Sequence, residues 1–171
     1  FRTDGSVHLD ASIQISKGKM GFVIGMQDTP NPIRVAADLL DEDINGLSGD
    51  GARLWADSKG FEKSNVQGRP PFKGATDTVG VVARDKSGLI VCATSTGGTS
   101  KRPPGRVGDV PLPGCGFWVQ DGVGVGATGI GEAITRGMIS LRVADRILDG
   151  NGLEESMMWA LEECLEGGAE V

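Results

Sequence analysis

The sequence is poor in several things that would each point to a class of function. Its 17 Lys and Arg form no basic block among 171 residues, and the net charge is −6 with a pI near 4.8. Nucleic acid and anionic membrane are therefore poor candidates as partners. No apolar run reaches the roughly 18 residues that a transmembrane helix needs. No signal-peptide pattern is visible at Phe1, and there is no initiator Met. The three cysteines, Cys92, Cys115 and Cys164, are odd in number and widely spaced. That pattern predicts reduced thiols and a cytoplasmic setting instead of a disulfide framework. A single histidine, His8, cannot build a metal site alone, and any Ser-His-Asp arrangement would have to use it.

Glycine, by contrast, is abundant. Its 28 positions are about twice the usual share of roughly 7%. They concentrate after residue 74, in Gly97-Gly98, Gly105, Gly108, Gly114, Gly116 and the stretch 122–131. Two readings fit: a turn-rich β-protein, or backbone kept bare so that a ligand can approach it.

The length suits one domain with a real core. Alternation over 7–13 predicts a strand, with 19–26 as its hairpin partner. Asn31-Pro32 predicts a helix start, and Ile33, Ala36, Ala37 and Leu40 its stripe. A second short helix is expected over 50–59, closed by Gly60. Residues 62–76 read as a polar loop containing Gly68-Arg69-Pro70-Pro71, the best linker candidate. Residues 101–116 form a Pro/Gly-rich loop, and 119–127 predict a Gly-rich strand. One helix is expected over 132–149 and another over 153–165. The stripe of Leu153, Met157, Ala160, Leu161 and Cys164 is expected to face the core, with Met157-Met158-Trp159 as packing. Cys115, Phe117 and Trp118 read as core. Together the elements predict a layered α+β fold.

The most informative stretch is residues 74–98, with Thr76, Thr78, Thr94 and Thr96 around a turn at Asp85-Lys86-Ser87-Gly88. A turn centred on Lys86-Ser87 sets Thr78 opposite Thr96, with Cβ atoms about 5 Å apart. Thr–Thr pairs are common in sheets because β-branched residues fit there. They can also bear chemistry. A threonine hydroxyl needs a base, and one available base is the threonine's own α-amine when that residue begins a chain. Such an amine titrates near 7.7–8.0. Thr78 follows the linker-like stretch, so scission between Asp77 and Thr78 would expose it.

Four motifs carry a resemblance: Thr78-Val79-Gly80-Val81-Val82, Thr94-Ser95-Thr96-Gly97-Gly98, Gly105-Arg106-Val107-Gly108-Asp109 and Thr128-Gly129-Ile130-Gly131-Glu132. Asp4-Gly5-Ser6-Val7, Leu9-Asp10-Ala11-Ser12-Ile13 and Asn31-Pro32-Ile33 add to it upstream. In this order the chain resembles the plant-type L-asparaginase / isoaspartyl peptidase group of N-terminal-nucleophile hydrolases, which also includes glycosylasparaginase and taspase. The resemblance implies a four-layer αββα sandwich, incomplete here, and self-cleavage between Asp77 and Thr78. Segment 1–77 would then be the first piece, with a linker at about 62–77, and 78–171 the second, within one structural domain. It implies Thr78 as nucleophile and Thr96 as its hydrogen-bonding neighbour. It also implies Arg106 on the substrate α-carboxylate, Asp109 on its α-ammonium, Thr128 and Gly129 as oxyanion donors, and Gly131 seating the substrate. Thr76 and Gly74 would assist scission.

The implied reaction is hydrolysis of isoaspartyl dipeptides or L-asparagine through a β-aspartyl-threonine ester. No cofactor and no metal are implied, because the family's structural sodium loop would precede Phe1. The implied partners are the small-molecule substrate and a second copy, as a homodimer or as an α/β heterotetramer after processing. Asp77 resembles the glycosylasparaginase and taspase branches, whereas Glu132 at the end of its motif favours the isoaspartyl peptidase branch. Against the family pattern roughly a third of a usual chain is absent, the preceding strand, helix and Asn-Ala-Gly turn among it. Glycosylasparagine hydrolysis and an unprocessed, inactive homologue therefore stay open as alternatives.

Overall fold

In a computed structural model, residues 1–68 and 77–166 of the chain are described. Linker residues Arg69, Pro70 and Pro71, with Gly74 and Thr76, lie outside them, as does the side chain of Cys164.

Two hairpins build the main sheet. Strands β1 (Leu9–Ile15) and β2 (Met20–Met26) pair antiparallel around a turn in which Ile15 N–H donates to Lys19 O at 3.0 Å. Strands β4 (Val79–Arg84) and β5 (Ile90–Thr96) form the second hairpin. The Asp85 carboxylate accepts from Ser87 N, Ser87 Oγ and Leu89 N, so the turn closes on its own side chain. Val79 stands opposite Ser95 and Arg84 opposite Ile90, the register that a turn centred on Lys86-Ser87 predicts. β1 and β5 join the hairpins antiparallel. A three-residue strand that the sequence pattern did not predict, β3 (Gly46–Ser48), adds parallel to β2, giving the order β3-β2-β1-β5-β4.

Helices α1 (Pro32–Asp38) and α2 (Gly49–Ser58) cover one face of this sheet. Ala11, Val23 and Met26 meet Val35, Ala36, Leu39, Ala52 and Ala56 there, all at most 1% exposed. Asn31 precedes α1 as expected, but its side chain makes no capping hydrogen bond; Pro32 alone marks the start. Gly60, at φ +74°, follows α2 as predicted.

The other face of β1 and β5 is covered by a second antiparallel pair, β6 (Phe117–Gln120) and β7 (Val123–Gly126). The single strand expected over 119–127 is thus a hairpin. Asp121-Gly122, with Gly122 at φ +91°, is the two-residue turn that divides it. Helix α4 (Ile139–Leu148) packs on this pair, with α3 (Gly131–Gly137) and α5 (Leu153–Glu166) beside it. The architecture is α+β, as expected.

Two helix expectations are corrected. The continuous helix over 132–149 breaks at Met138, which adopts the left-handed conformation (φ 45°, ψ 49°). The break lets Leu141 N–H donate to Gly114 O at 3.0 Å. In α5 three residues of the predicted core stripe face outward, Leu153 at 65%, Met157 at 55% and Leu161 at 44% exposed, whereas Ala160 of the same stripe is buried as expected. The helix docks through Ser156, Ala160 and Trp159, whose ring centre lies 4.4 Å from the guanidinium carbon of Arg142 and 4.8 Å from that of Arg146. Met158 is also exposed, so Trp159 alone of the Met-Met-Trp run packs inward. Cys92 and Cys115 are buried free thiols, and burial pushes both above their usual range, Cys92 to about 11.

Candidate active site

Alternation puts Asp10, Ser12 and Gln14 of β1 on the same face as Cys92, Thr94 and Thr96 of β5. This face is buried beneath β6–β7 and the loop over 109–116, and its polar atoms find partners there. Gln14 exchanges two hydrogen bonds with the Val119 backbone, at 3.1 and 3.0 Å. Sequence alternation reads such residues as solvent-facing; only the second sheet shows otherwise.

At the open end of the β4–β5 hairpin, Thr78 Oγ1 donates to Thr96 Oγ1 at 3.0 Å. Thr96 Oγ1 also accepts from Gly98 N at 3.0 Å and donates to Asp77 Oδ1 at 3.2 Å. Two acceptances and one donation fill the capacity of a hydroxyl. The protons therefore run in one direction, from Thr78 to Thr96 to the Asp77 carboxylate. The paired glycines are explained by the same turn. A Cβ on Gly97 would lie 3.1 Å from Asp77 Oδ2, and Gly98, at φ +75°, lies against the Arg2 guanidinium. Arg2 is 1% exposed, and none of its three guanidinium nitrogens has a hydrogen-bond partner among the described residues.

A second cluster joins Arg106, Asp109, Gly131 and Glu132. Arg106 Nε donates to Glu132 Oε1 at 3.1 Å, and Nη2 lies 3.0 Å from the same oxygen. Burial pushes the Glu132 carboxyl up, but its own backbone N–H and Arg106 more than offset this and hold it below its usual range. Asp109 is 6% exposed, and burial pushes its carboxyl up, against the pull of Arg106 and with the push of Glu132. Asp109 Oδ2 and Arg106 Nη2 are buried without a directed hydrogen-bond partner among the described residues. Between them sits Gly131: a Cβ there would come within 2.7 Å of Asp109 Oδ1 and 2.8 Å of Arg106 Nη2. A side chain at that point would displace one of the two charged groups.

Asp10 connects the clusters. It stands opposite Thr96 in register, and its carboxyl feels Arg2, Arg106 and Asp109. Burial is the largest cause that pushes it up to about 6; the Gly25 N–H, which donates at 2.8 Å, and the two arginines pull it back. In the sequence Asp10 stands only as part of the Leu9-Asp10-Ala11-Ser12-Ile13 motif, with no role, and nothing there separates Arg2 from a surface charge. Thr128 and Gly129 are exposed, and among the described residues no hydrogen bond joins either to Thr78. The path of β7 nevertheless aims at it. Gly124 lies against Ile90 and Val82, and Gly126 against Cys92 and Thr94, so the chain leaving β7 advances toward the Thr96 end of β5. Gly129, at φ +151°, takes a conformation that favours glycine.

A cleft of about 480 Å³ opens beside Arg106, among His8, Gln27, Arg53 and Lys63. Thr78 and Asp109 do not line it. His8 is bonded to Gln27 at 3.0 Å, and burial and Arg2 push its pKa down. Among the described residues no three His, Cys, Asp or Glu side chains are grouped to hold a metal, and no helix is long and apolar enough to cross a membrane.

A model of the family described as asparaginase matches residues 63–170. The chain is 36% identical over 187 residues to a plant-type L-asparaginase of Pyrobaculum calidifontis, covering 95% of this chain and 62% of that protein. It is 31% identical over 176 residues to the isoaspartyl peptidase/L-asparaginase of Bos taurus, covering 90% and 57%. It is also 31% identical over 182 residues to the N(4)-(Beta-N-acetylglucosaminyl)-L-asparaginase of Elizabethkingia miricola, covering 95% and 54%. The chain thus spans between about half and two thirds of the length of these relatives.

Proposed function

Because the chain belongs to the asparaginase family, we propose that it supplies the catalytic part of an amidohydrolase that cleaves β-aspartyl amide bonds in isoaspartyl dipeptides and L-asparagine. The observation that carries this reading is the pair of buried, incompletely partnered groups of opposite charge, Arg106 Nη2 and Asp109 Oδ2, on either side of Gly131. A free aspartyl head group brings a carboxylate and an ammonium separated by one carbon. Arg106 takes the carboxylate with its planar fork, and Asp109 takes the ammonium. Glu132 holds the Nε edge of Arg106 and leaves the other end for the ligand.

The chemistry begins with scission of the chain. Thr78 Oγ attacks the Asp77 carbonyl carbon. The peptide C–N bond breaks as an ester forms, the departing nitrogen takes up the proton that left the hydroxyl, and water hydrolyses the ester to a free Asp77 carboxyl and a free Thr78 hydroxyl. The relay from Thr78 through Thr96 to Asp77 supports this step, since it gives the attacking hydroxyl's proton somewhere to go. The freed α-amine then serves as base. In turnover, Thr78 Oγ attacks the β-carbonyl carbon of the substrate. Negative charge builds on the carbonyl oxygen, where Thr128 Oγ1 and Gly129 N–H donate. The amide C–N bond breaks, the leaving amine departs with a proton from the Thr78 ammonium, and water releases L-aspartate from the ester. As Thr78 Oγ gives its proton to the amine, Thr96 turns from acceptor to donor toward that oxygen and so tunes it.

Layering of α1–α2, the five-stranded sheet, β6–β7 and α3–α5 supports a four-layer αββα sandwich. Because β1 lies between β2 and β5, the two pieces share one sheet and stay together after scission. Two such units pairing as a dimer belongs to the same reading. Asp77 and the Elizabethkingia relative favour a second substrate, glycosylated asparagine.

Incubation with L-asparagine, an isoaspartyl dipeptide and glycosylated asparagine, read by release of ammonia or L-aspartate, tests the proposal. Release from either of the first two supports it. Turnover of glycosylated asparagine alone moves the protein to the other branch. No turnover by a preparation cut at Asp77-Thr78 overturns it.

A further inference from the structure

Asp109 belongs to a loop with no regular structure, yet a carboxylate that reads an ammonium must be held to about 0.5 Å. Part of its support is local: Asp109 O accepts from Leu112 N and Gly116 N, each at 3.0 Å. The neighbouring carbonyl is held from far away in the sequence. Val110 O accepts from Ser12 Oγ at 2.7 Å and from Thr94 Oγ1 at 3.3 Å. Ser12 and Thr94 are opposite one another on β1 and β5, 0% and 2% exposed, with their hydroxyl oxygens 2.6 Å apart.

Each hydroxyl has one proton to give. The shorter bond assigns the Ser12 proton to Val110 O, and the Thr94 proton then goes to Ser12 Oγ. The result is a short relay, Thr94 to Ser12 to Val110, in which each bond polarises the next. Thr94 is two residues from Thr96 on the same face of the same strand. The relay therefore fastens the loop that carries Asp109 to the strand that carries the partner of Thr78.

We propose that Ser12 and Thr94 are positioning residues that set Asp109 relative to the Thr78–Thr96 pair, and so set how strongly the substrate ammonium is read. The inference rests on the proposed function, in which Asp109 binds that ammonium. Ser12 and Thr94 touch neither substrate nor reacting atoms. Without Ser12 Oγ the Thr94 proton can turn only to Val110 O across the longer 3.3 Å contact, the peptide plane is freer to turn, and Asp109 moves with it. Arg106 is held by Glu132 and not by this loop's carbonyl, so carboxylate binding is spared.

Two ligands separate the effects: L-aspartate, and succinate, the same dicarboxylate without the ammonium. Their affinities are measured by titration calorimetry or as competitive inhibitors on the full chain. Wild type is expected to prefer L-aspartate. In Ser12→Ala that preference falls about tenfold, the worth of a well-aimed hydrogen bond to a charged group, while succinate affinity stays within about twofold. Thr94→Val loses about threefold of the preference, and Thr94→Ser, which keeps the hydroxyl, restores it. If Ser12→Ala does not fold, the Thr94 pair carries the test alone. Equal weakening of both ligands, or an unchanged preference in variants of a wild type that has one, overturns the inference and leaves the proposed function standing. A wild type that does not prefer L-aspartate over succinate overturns the assignment of Asp109, and with it both.

Discussion

Thr78 gives its hydroxyl proton to Thr96 at 3.0 Å, and Thr96 gives its own to Asp77 at 3.2 Å. A mid-chain threonine has an amide nitrogen whose lone pair is delocalised into the peptide bond and cannot act as a base. Catalysis by Thr78 therefore needs the cut at Asp77-Thr78, which leaves pieces of 77 and 94 residues. Intact-mass spectrometry is expected to find both, co-eluting under native conditions. Thr78→Ala should give a single mass near 17.8 kDa and no turnover. Thr96→Val removes the proton's route and should slow scission by about tenfold to a hundredfold. Scission at the wild-type rate in Thr96→Val would remove the relay from the mechanism.

Gly131→Ala puts a methyl within 2.8 Å of both Arg106 and Asp109. One of the two must shift. The expected result is a rise in KM for L-asparagine of about tenfold or more, with folding cooperativity retained, because the α3 backbone tolerates alanine. Steady-state kinetics beside thermal unfolding separates these effects. An unchanged KM would mean that ligand does not pass between the two side chains.

Glu132→Gln keeps an oxygen for Arg106 Nε and removes the charge. The guanidinium stays roughly aimed but less firmly held, so KM should rise by about threefold, whereas Arg106→Ala should raise it by a hundredfold or more. In both variants kcat should change less than KM. A larger effect on kcat would place Arg106 in the bond-breaking step.

Asp10 gives a pH signature. Its carboxyl ionises near 6 in the fold against 3.8 ordinarily, with burial as the largest cause. Between about pH 4 and 6 the folded state holds the proton that the unfolded state has lost, so this group's contribution to stability falls as pH rises through that window. Asp10→Asn removes the effect while keeping an oxygen for Gly25 N–H. Relative to wild type, the variant should gain on the order of 2–3 kcal/mol between pH 4 and pH 7 in urea unfolding. A difference that does not vary with pH would mean that Asp10 ionises normally. Arg2, Arg106 and Asp109 face it, and repeating the titration in Asp109→Asn tests their coupling.

What the sequence by itself determined is local. The turn at 85–88 fixes the β4–β5 register, because a side-chain-closed turn leaves the strands no freedom to slip, and that register alone brings Thr78 to Thr96. The end of α2 at Gly60 and the family motifs are legible for the same reason: each acts over a few residues. Tertiary structure decided the rest. The polar residues of β1 are buried because β6–β7 lies over them, and alternation cannot say which face a second sheet will cover. Met138 breaks a periodic apolar run where Leu141 N–H goes to Gly114 O, and α5 leaves Leu153, Met157 and Leu161 outward while Trp159 packs against two arginines of α4. Arg106 and Asp109 stand near each other in sequence. Their meeting across Gly131, the clamp of Glu132 and the hold of Ser12 and Thr94 on Val110 depend on contacts between residues 16 to 98 positions apart, which only packing brings together.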